Sequence, residues 1–358
     1  MFIRTIFIIV LFHLCIINVS ADENNKSSTQ KLSYKWVNRE LHSPMAKTIA
    51  EHQSKCSNRV YYHGQRNYGM GSDLHIWTQA VCNSMQTGST LLQLDEPWIW
   101  NDRSFCKPEE LNQPLNCYFN IQKHCPGSVA HYPKQIKWTN EFTKCPKFIH
   151  DLPSRLIFRA AAIEYLFSNL NPRLIDETEQ NIIDIFGSEG IPKDLITVHV
   201  RWGDKSLEMK LVHENDYYTA IENIINKHNI SNPHVFITTE SMDGVVKLQD
   251  VVNRNNKSWK LHYYAPSVFN ANTAAHISAK PVVSPMDMAR VTQGTLGKAS
   301  LISLLLAMEG KHYVLTSGSN WSRLIDELRL NIVDVACGGC TDMVDLREGI
   351  PAAQNWRA

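Results

Sequence analysis

From about residue 191 onward, short apolar runs alternate with stretches of helical period. Leu195-Ile196-Thr197-Val198-His199-Val200 is a run of strand type, and Asp216 to Lys227 places apolar residues at 218, 221, 224 and 225. Spacings of three and four put those residues on one helix face. Val235–Thr239 reads as the next strand, Met242–Asn253 as a helix and Leu261–Tyr264 as a strand. A loop is expected to Met286, then a helix over Gly294–Met308, a strand over His312–Thr316 and a helix over Trp321–Leu330. The first half repeats the alternation less cleanly. Val60–His63 is a short strand, Gly64, Gly69 and Gly71 break it, and Asp73–Gln86 carries apolar residues at 74, 77, 81 and 85. Thr90–Leu94 is a second strand, and Ser154–Asn169 an amphipathic helix stopped by Asn171-Pro172. Strands alternating with helices imply parallel sheets covered on both faces.

Residues 95–150 show no period and hold Trp98, Trp100, Trp138 and four cysteines. A loop this long is often functional. It is expected to be a disulfide-pinned cover; tryptophans exposed for stacking on sugar rings are the alternative.

The ends modify this picture. Arg4 precedes an apolar run, Ile6–Ile17, broken only by His13, with Val19-Ser20-Ala21 after it. The run is short for a membrane span and suits a signal peptide cleaved after Ala21, a retained anchor being the alternative. Either sends the chain into the secretory pathway. Residues 22–35 are expected to be a flexible stem, 36–190 one α/β half, 191–345 a Rossmann-like half and 346–358 a tail. Beyond Cys15 in the leader there are eight cysteines, an even count that reads as disulfides in an oxidising compartment. Cys337-Gly-Gly-Cys340 is expected to be a structural bridge rather than a zinc half-site or a redox pair. Sequons at Asn25, Asn229 and Asn256 are expected at the surface; the one at Asn320 is expected to be unmodified within a pocket.

Of 358 residues, 43% are hydrophobic and 20% charged, and the formal net charge is +1. Such a chain has a core but no field that would gather nucleic acid. Any anion must be held locally, and ligands of parallel sheets bind beyond the carboxyl ends of the strands. Two such ends carry chemistry. After His199, Arg201 can grip a phosphate through two N–H groups, Asp204 can fix its rotamer and Lys205 adds a second cation. Thr316-Ser317-Gly318-Ser319-Asn320 joins a strand to a helix, and its small residues and helix-start N–H groups favour an anion. Each motif alone is weak, since salt-bridged loops and ordinary N-caps look the same. Together they point to a diphosphate. No G-x-G-x-x-G, Walker loop, G-x-S-x-G elbow, H-E-x-x-H or D-x-D is present. The expectation is a site without a catalytic metal or a resident cofactor.

His199-Val200-Arg201-x-x-Asp204-Lys205 resembles the H-V-R-x-x-D-K signature of the α1,6-fucosyltransferases and the related Nod-factor fucosyltransferases. Gly69-Met70-Gly71-Ser72-Asp73-Leu74-His75 is similar to that family's glycine-rich segment, Ala162–Leu166 with Pro172 to its helix before the signature, and Val314 through Arg323 to its second motif. The resemblance covers about residues 60–330. It implies a GT-B fold of two Rossmann-like α/β halves around a donor cleft, with metal-independent, inverting transfer of fucose from GDP-fucose to a glycan or glycoprotein in the Golgi. It places the diphosphate on Arg201, the base near His199, and the phosphate backbone contacts at Gly318, Ser319 and Asn320. Gly71, His75, Tyr217 or Tyr218 and Glu240 would complete the donor site. Glu208 would be the general base with Lys205 supporting it, and Asp204 would stand beside them. The chain departs from the family at Trp202, where the family has a second arginine, at Ser241, where it has a second acid, and at Ser303, where an acid is thought to read guanine. It also has no room for the family's SH3-like domain or its coiled coil. A secreted carbohydrate-binding protein that kept this fold and lost catalysis is the alternative.

Overall fold

A computed structural model describes residues 30–121, 124–127, 129–131, 149, 151–207, 210–265 and 284–347. The expected leader, most of the stem, Trp138, Cys145, Glu208 and most of the tail lie outside these residues.

The first half opens with α1 (Pro44–Ser54), whose N-cap Ser43 accepts from Ala46 N. Ser43 followed by proline at N1 is a start signal that the apolar period alone did not reveal. Then come β1 (Arg59–His63), α2 (Met70–Gln86), β2 (Thr90–Gln93) and β3 (Val129–His131), and the strands pair in parallel in the order β2-β1-β3. Three helices follow: α3 (Leu152–Phe167), α4 (Pro172–Gln180) and α5 (Ile182–Phe186).

The second half runs β4 (Ile196–Val200), α6 (Glu214–His228), β5 (His234–Thr239), α7 (Met242–Arg254), β6 (Lys260–Tyr263), α8 (Pro285–Val291), α9 (Thr295–Ala307), β7 (His312–Leu315), α10 (Asn320–Leu328), α11 (Asp334–Cys337) and β8 (Asp342–Asp345). Among the described residues its sheet has the order β6-β5-β4-β7-β8, all parallel. Counted from β4, that order is 3-2-1-4-5, the doubly wound pattern, and it reverses between β4 and β7. The α/β class and the GT-B-like layout of two parallel sheets are therefore what the chain adopts.

The period explains the burial. β4 is buried along its whole length, as a central parallel strand requires. α9 is apolar almost all round and is buried on nearly every face. One hydrophobic cluster joins Leu74, Trp77, Phe158 and Phe167 of the first half to Leu301, Leu305, Tyr313 and Leu324 of the second. The halves meet at the backbone: a Cβ on Gly297 would lie 2.0 Å from Trp100 O, and one on Gly294, at φ +86°, 1.9 Å from Asn101 O. Only glycine lets α9 seat against this strap.

The described part of the segment after residue 95 is pinned by disulfides and contributes β3. Cys106–Cys117 and Cys56–Cys125 are bridged. Trp98 and Trp100 are buried rather than exposed for stacking on solvent-borne rings. Their indole N–H groups donate to Asp73 Oδ2 at 2.8 Å and Tyr68 O at 2.9 Å. Cys337–Cys340 is also bridged. The sequon residues Asn229 and Asn256 are exposed.

The expected stem ends sooner than residue 35. Leu32 is buried, and Ser33 N donates to both oxygens of Glu309 at 3.1 Å. Burial pushes the Glu309 carboxyl up to about 7, with the Ser33 contacts pulling the other way. The folded chain therefore keeps a proton that the unfolded chain loses near 4.5. Stability from this site is full below that value and declines as pH rises to about 7, by on the order of 3 kcal/mol. Glu309→Gln should flatten the decline, raising Tm at about pH 8 and leaving it unchanged at about pH 4. An equal shift of Tm at both pH values would rule Glu309 out as the cause.

Candidate functional site

A cavity of about 140 Å³ opens between the halves at the carboxyl ends of β4, β5 and β6. It lies where the strand order reverses, the position at which open α/β sheets bind ligands. Two helix starts line it: Gly69–Ser72 at the head of α2 and Ser319–Trp321 at the head of α10. A Cβ on Gly71 would come within 3.3 Å of Asn320 C and Trp321 N, so glycine allows the two helix heads to touch. Asn320 Nδ2 donates to Ser72 Oγ at 2.6 Å across this contact. Each helix head carries about half a positive charge and N–H groups without intrahelical acceptors. Two of them converging favour an anion before any side chain is counted.

Arg201 and Lys205 add side-chain cations to the lining. Arg201 directly follows β4, and its guanidinium is fixed by Asp204 Oδ1 at 2.7 Å and by Glu240, the residue after β5. Its Nη1 also donates to Trp202 O at 2.8 Å. Asp204 and Lys205 share the short helical turn Gly203–Leu207. Asp204 faces Arg201, whereas Lys205 reaches the cavity. Glu240 accepts from Trp202 N at 3.1 Å. Burial pushes the Glu240 carboxyl up, against the pull of Arg201.

His199 also lines the cavity but is 1% exposed, and its Nδ1 is 2.6 Å from Ser322 Oγ. Burial, aided by Arg201, pushes it down to about 3, so the ring is neutral. Ser322 Oγ in turn accepts from Thr316 N at 3.1 Å. His199 thereby fixes the loop that leads into α10. The other wall is apolar and aromatic: Ile237, Met242, Val245, Tyr263, Tyr264 and Leu296. Ser303 lines it too and donates to Thr238 Oγ1 at 3.1 Å. A planar group could lie against this wall with hydroxyls at its edge.

The structure thus brings together Gly71, His199, Arg201, Lys205, Glu240, Ser319 and Asn320. It places five other expected residues outside the lining, among them Asp204, which turns to Arg201. His75 is buried beneath it, with Nδ1 3.1 Å from Asn320 Oδ1 and Nε2 3.0 Å from Glu327 Oε2. Gly318 lies behind the loop, where a Cβ would meet the Arg347 side chain at 2.8 Å. Tyr217 is 1% exposed within the second core. Tyr218 stacks on Trp259 at 5.0 Å between centroids and donates to Glu222 on the helix surface. Glu208 lies outside the described residues. Among the described lining residues, Glu240 is the one carboxylate.

Sequence reasoning missed the layer below. Glu327 of α10 accepts from Arg159 of α3 at 2.6 Å and from His75 of α2, so one carboxylate ties three helices under the site. Burial alone would push Glu327 up; Arg159 and His75 hold it instead at about 2. Arg323 Nε donates to Ser317 O at 2.8 Å, and Ser317 N to Asp345 Oδ1 of β8 at 3.0 Å. Charged residues at helical spacing look like solvated faces in a sequence, and only assembly buries them.

No family model matches the chain, and no curated protein matches it. Solved structures do. NodZ α1,6-fucosyltransferase soaked with GDP-fucose is 16% identical with a TM-score of 0.43, over 76% of this chain and 93% of that one. Se-Met NodZ from Bradyrhizobium is 14% identical with a TM-score of 0.41, over 75% and 92%. POFUT1 in complex with GDP is 10% identical with a TM-score of 0.42, over 81% and 99%.

Proposed function

We propose that this chain is a glycosyltransferase of the secretory pathway that takes its sugar from a nucleoside diphosphate. The observation that carries this reading is the meeting of two helix heads with Arg201 and Lys205 at the strand-order reversal. That combination suits a diphosphate, and the adjoining aromatic wall suits a base. The finer reading is inverting transfer of fucose from GDP-fucose without a metal, which the His199–Lys205 signature supports. The acceptor oxygen attacks the anomeric carbon, the bond from that carbon to the phosphate oxygen breaks, and the diphosphate departs with both electrons. Arg201, Lys205 and the α10 head take up its charge. The acceptor proton goes to a carboxylate, Glu208 in this reading. The leader over residues 1–21 supports a lumenal location.

One observation favours a second reading. Arg201 already carries two carboxylates, and Ser241 and Ser303 are hydroxyls where related enzymes carry acids. A glycan-binding protein without turnover would tolerate that.

Calorimetric titration of the lumenal chain with GDP, UDP and GDP-fucose, with EDTA throughout, separates the readings. The enzyme reading expects GDP and GDP-fucose to bind without metal and GDP-fucose to be consumed when a glycan acceptor is added. Binding of glycan alone supports the second reading, and preference for UDP removes the fucose assignment. The pH dependence has a definite sign. Ionised Glu240 competes with phosphate for Arg201, so nucleotide affinity should be strongest while Glu240 is protonated. It should weaken as pH rises through that raised value. Affinity that strengthens with pH over that range would exclude this role.

A further inference from the structure

At the opposite end of the second sheet, His228 closes α6, His312 opens β7 and Asp342 opens β8. One ligand atom from each lies within 4.8 Å of the other two. We infer that these three residues form a site for a divalent transition-metal ion, distinct from the cavity at the carboxyl ends of the strands.

The donor set is two imidazoles and one carboxylate, which suits zinc and its neighbours rather than magnesium or calcium. Ligands of a tetrahedral ion at about 2.0–2.1 Å stand roughly 3.3 Å apart. His228 Nε2 is 2.8 Å from Asp342 Oδ2, and the two rings are 4.2 Å apart between centroids. An outward shift of under about 1 Å therefore admits an ion. His312 is 2% exposed, so the strand fixes its ring, whereas the side chains of His228 and Asp342 are about one-third exposed and can adjust.

The carboxylate already recruits a cation. Lys227 Nζ lies 3.0 Å from Asp342 Oδ2 on a side chain that is 66% exposed. Such a pair holds weakly, and a lysine this exposed can withdraw into water. His312 reaches the site through Nδ1, and its buried Nε2 has no hydrogen-bond partner among the described residues. Without that outer support the affinity should be roughly 10–100-fold below that of a fully supported site. A bound ion would clamp β8 to β7 and α6. The far end of β8 carries Asp345, which holds the Ser317 N–H of the nucleotide loop.

The test is a titration of the intact chain, disulfides oxidised, with Co²⁺ and then Zn²⁺ alone. Oxidation keeps the second cluster, Asp334 with Cys337 and Cys340, from supplying thiolates. The expected result is one Co²⁺ per chain with a visible absorption band, displaced by Zn²⁺. His228→Ala, at a partly exposed helix end, should keep its circular dichroism. It should lose affinity by more than the roughly 10–100-fold that an outer-shell partner is worth. Lys227→Gln should tighten binding roughly two- to five-fold by removing the competing ammonium. Absence of a band, binding unchanged in His228→Ala, or weaker binding in Lys227→Gln would each overturn the proposal.

Discussion

Glu327→Ala should destabilise the chain by roughly 3–5 kcal/mol, the cost of leaving buried charge unpaired. Arg159 and His75 both turn to this carboxylate, and the side chains of all three are less than 10% exposed. Removing it strands Arg159 between α2, α3 and α10. Urea denaturation checks the value. Glu327→Gln should recover part of the loss by keeping the hydrogen bonds without the charge. The sign with pH follows from the low folded value of Glu327, about 2 against 4.5. The stabilisation is present above about 4.5 and is lost as pH falls toward about 2. The wild type should therefore approach the variant in acid. A gap that stayed constant down to acid pH would show that lost packing, not the charge, sets the cost.

Arg201→Ala should weaken nucleoside diphosphate binding roughly 10- to 100-fold, since hydrogen bonds to charged groups are worth about 1.5–3 kcal/mol. The guanidinium lines the cavity and is aimed by Asp204 and Glu240, so alanine loses the cation and frees two carboxylates to repel phosphate. Arg201→Lys should recover charge but not the two-pronged geometry, and it should fall between. Calorimetry gives the affinities, and circular dichroism confirms that the folds match. Full affinity in Arg201→Ala would remove this residue from the donor site.

Much of this was legible from period and position. The run Leu195–Val200 announced a buried central strand, and the abrupt polar turn at Arg201 marked its carboxyl end. Ser317–Asn320 between a strand and a helix announced the second wall. What stayed hidden depends on partners distant in the chain. Nothing local distinguishes His75 facing a ligand from His75 facing Glu327, 252 residues away. Tyr217 and Tyr218 are adjacent on α6 and point to different faces, one into the core and one onto Trp259. Neither reaches the cavity, because α6 packs behind the sheet. β8 was unread because Asp342-Met343-Val344-Asp345 is short, polar at both ends and paired on one edge, so its alternation is too brief to register. The apolar period of Ser154–Asn169 was clear, but the role of Arg159 within it was not.

Gly294 and Gly297 have a consequence for how this protein can change. With α9 pressed on the Trp100–Asn101 backbone and one apolar cluster crossing both sheets, the cleft is a notch cut into a single block. Opening it like jaws would peel α10, with Leu324, from α2 and α3, and α9, with Leu301 and Leu305, from α4, and wet the apolar faces between them. The notch must therefore accept its ligand nearly as built. New specificity would come from exchanging side chains along its rim, such as Ser303 or Tyr263, and not from resetting an angle between two bodies.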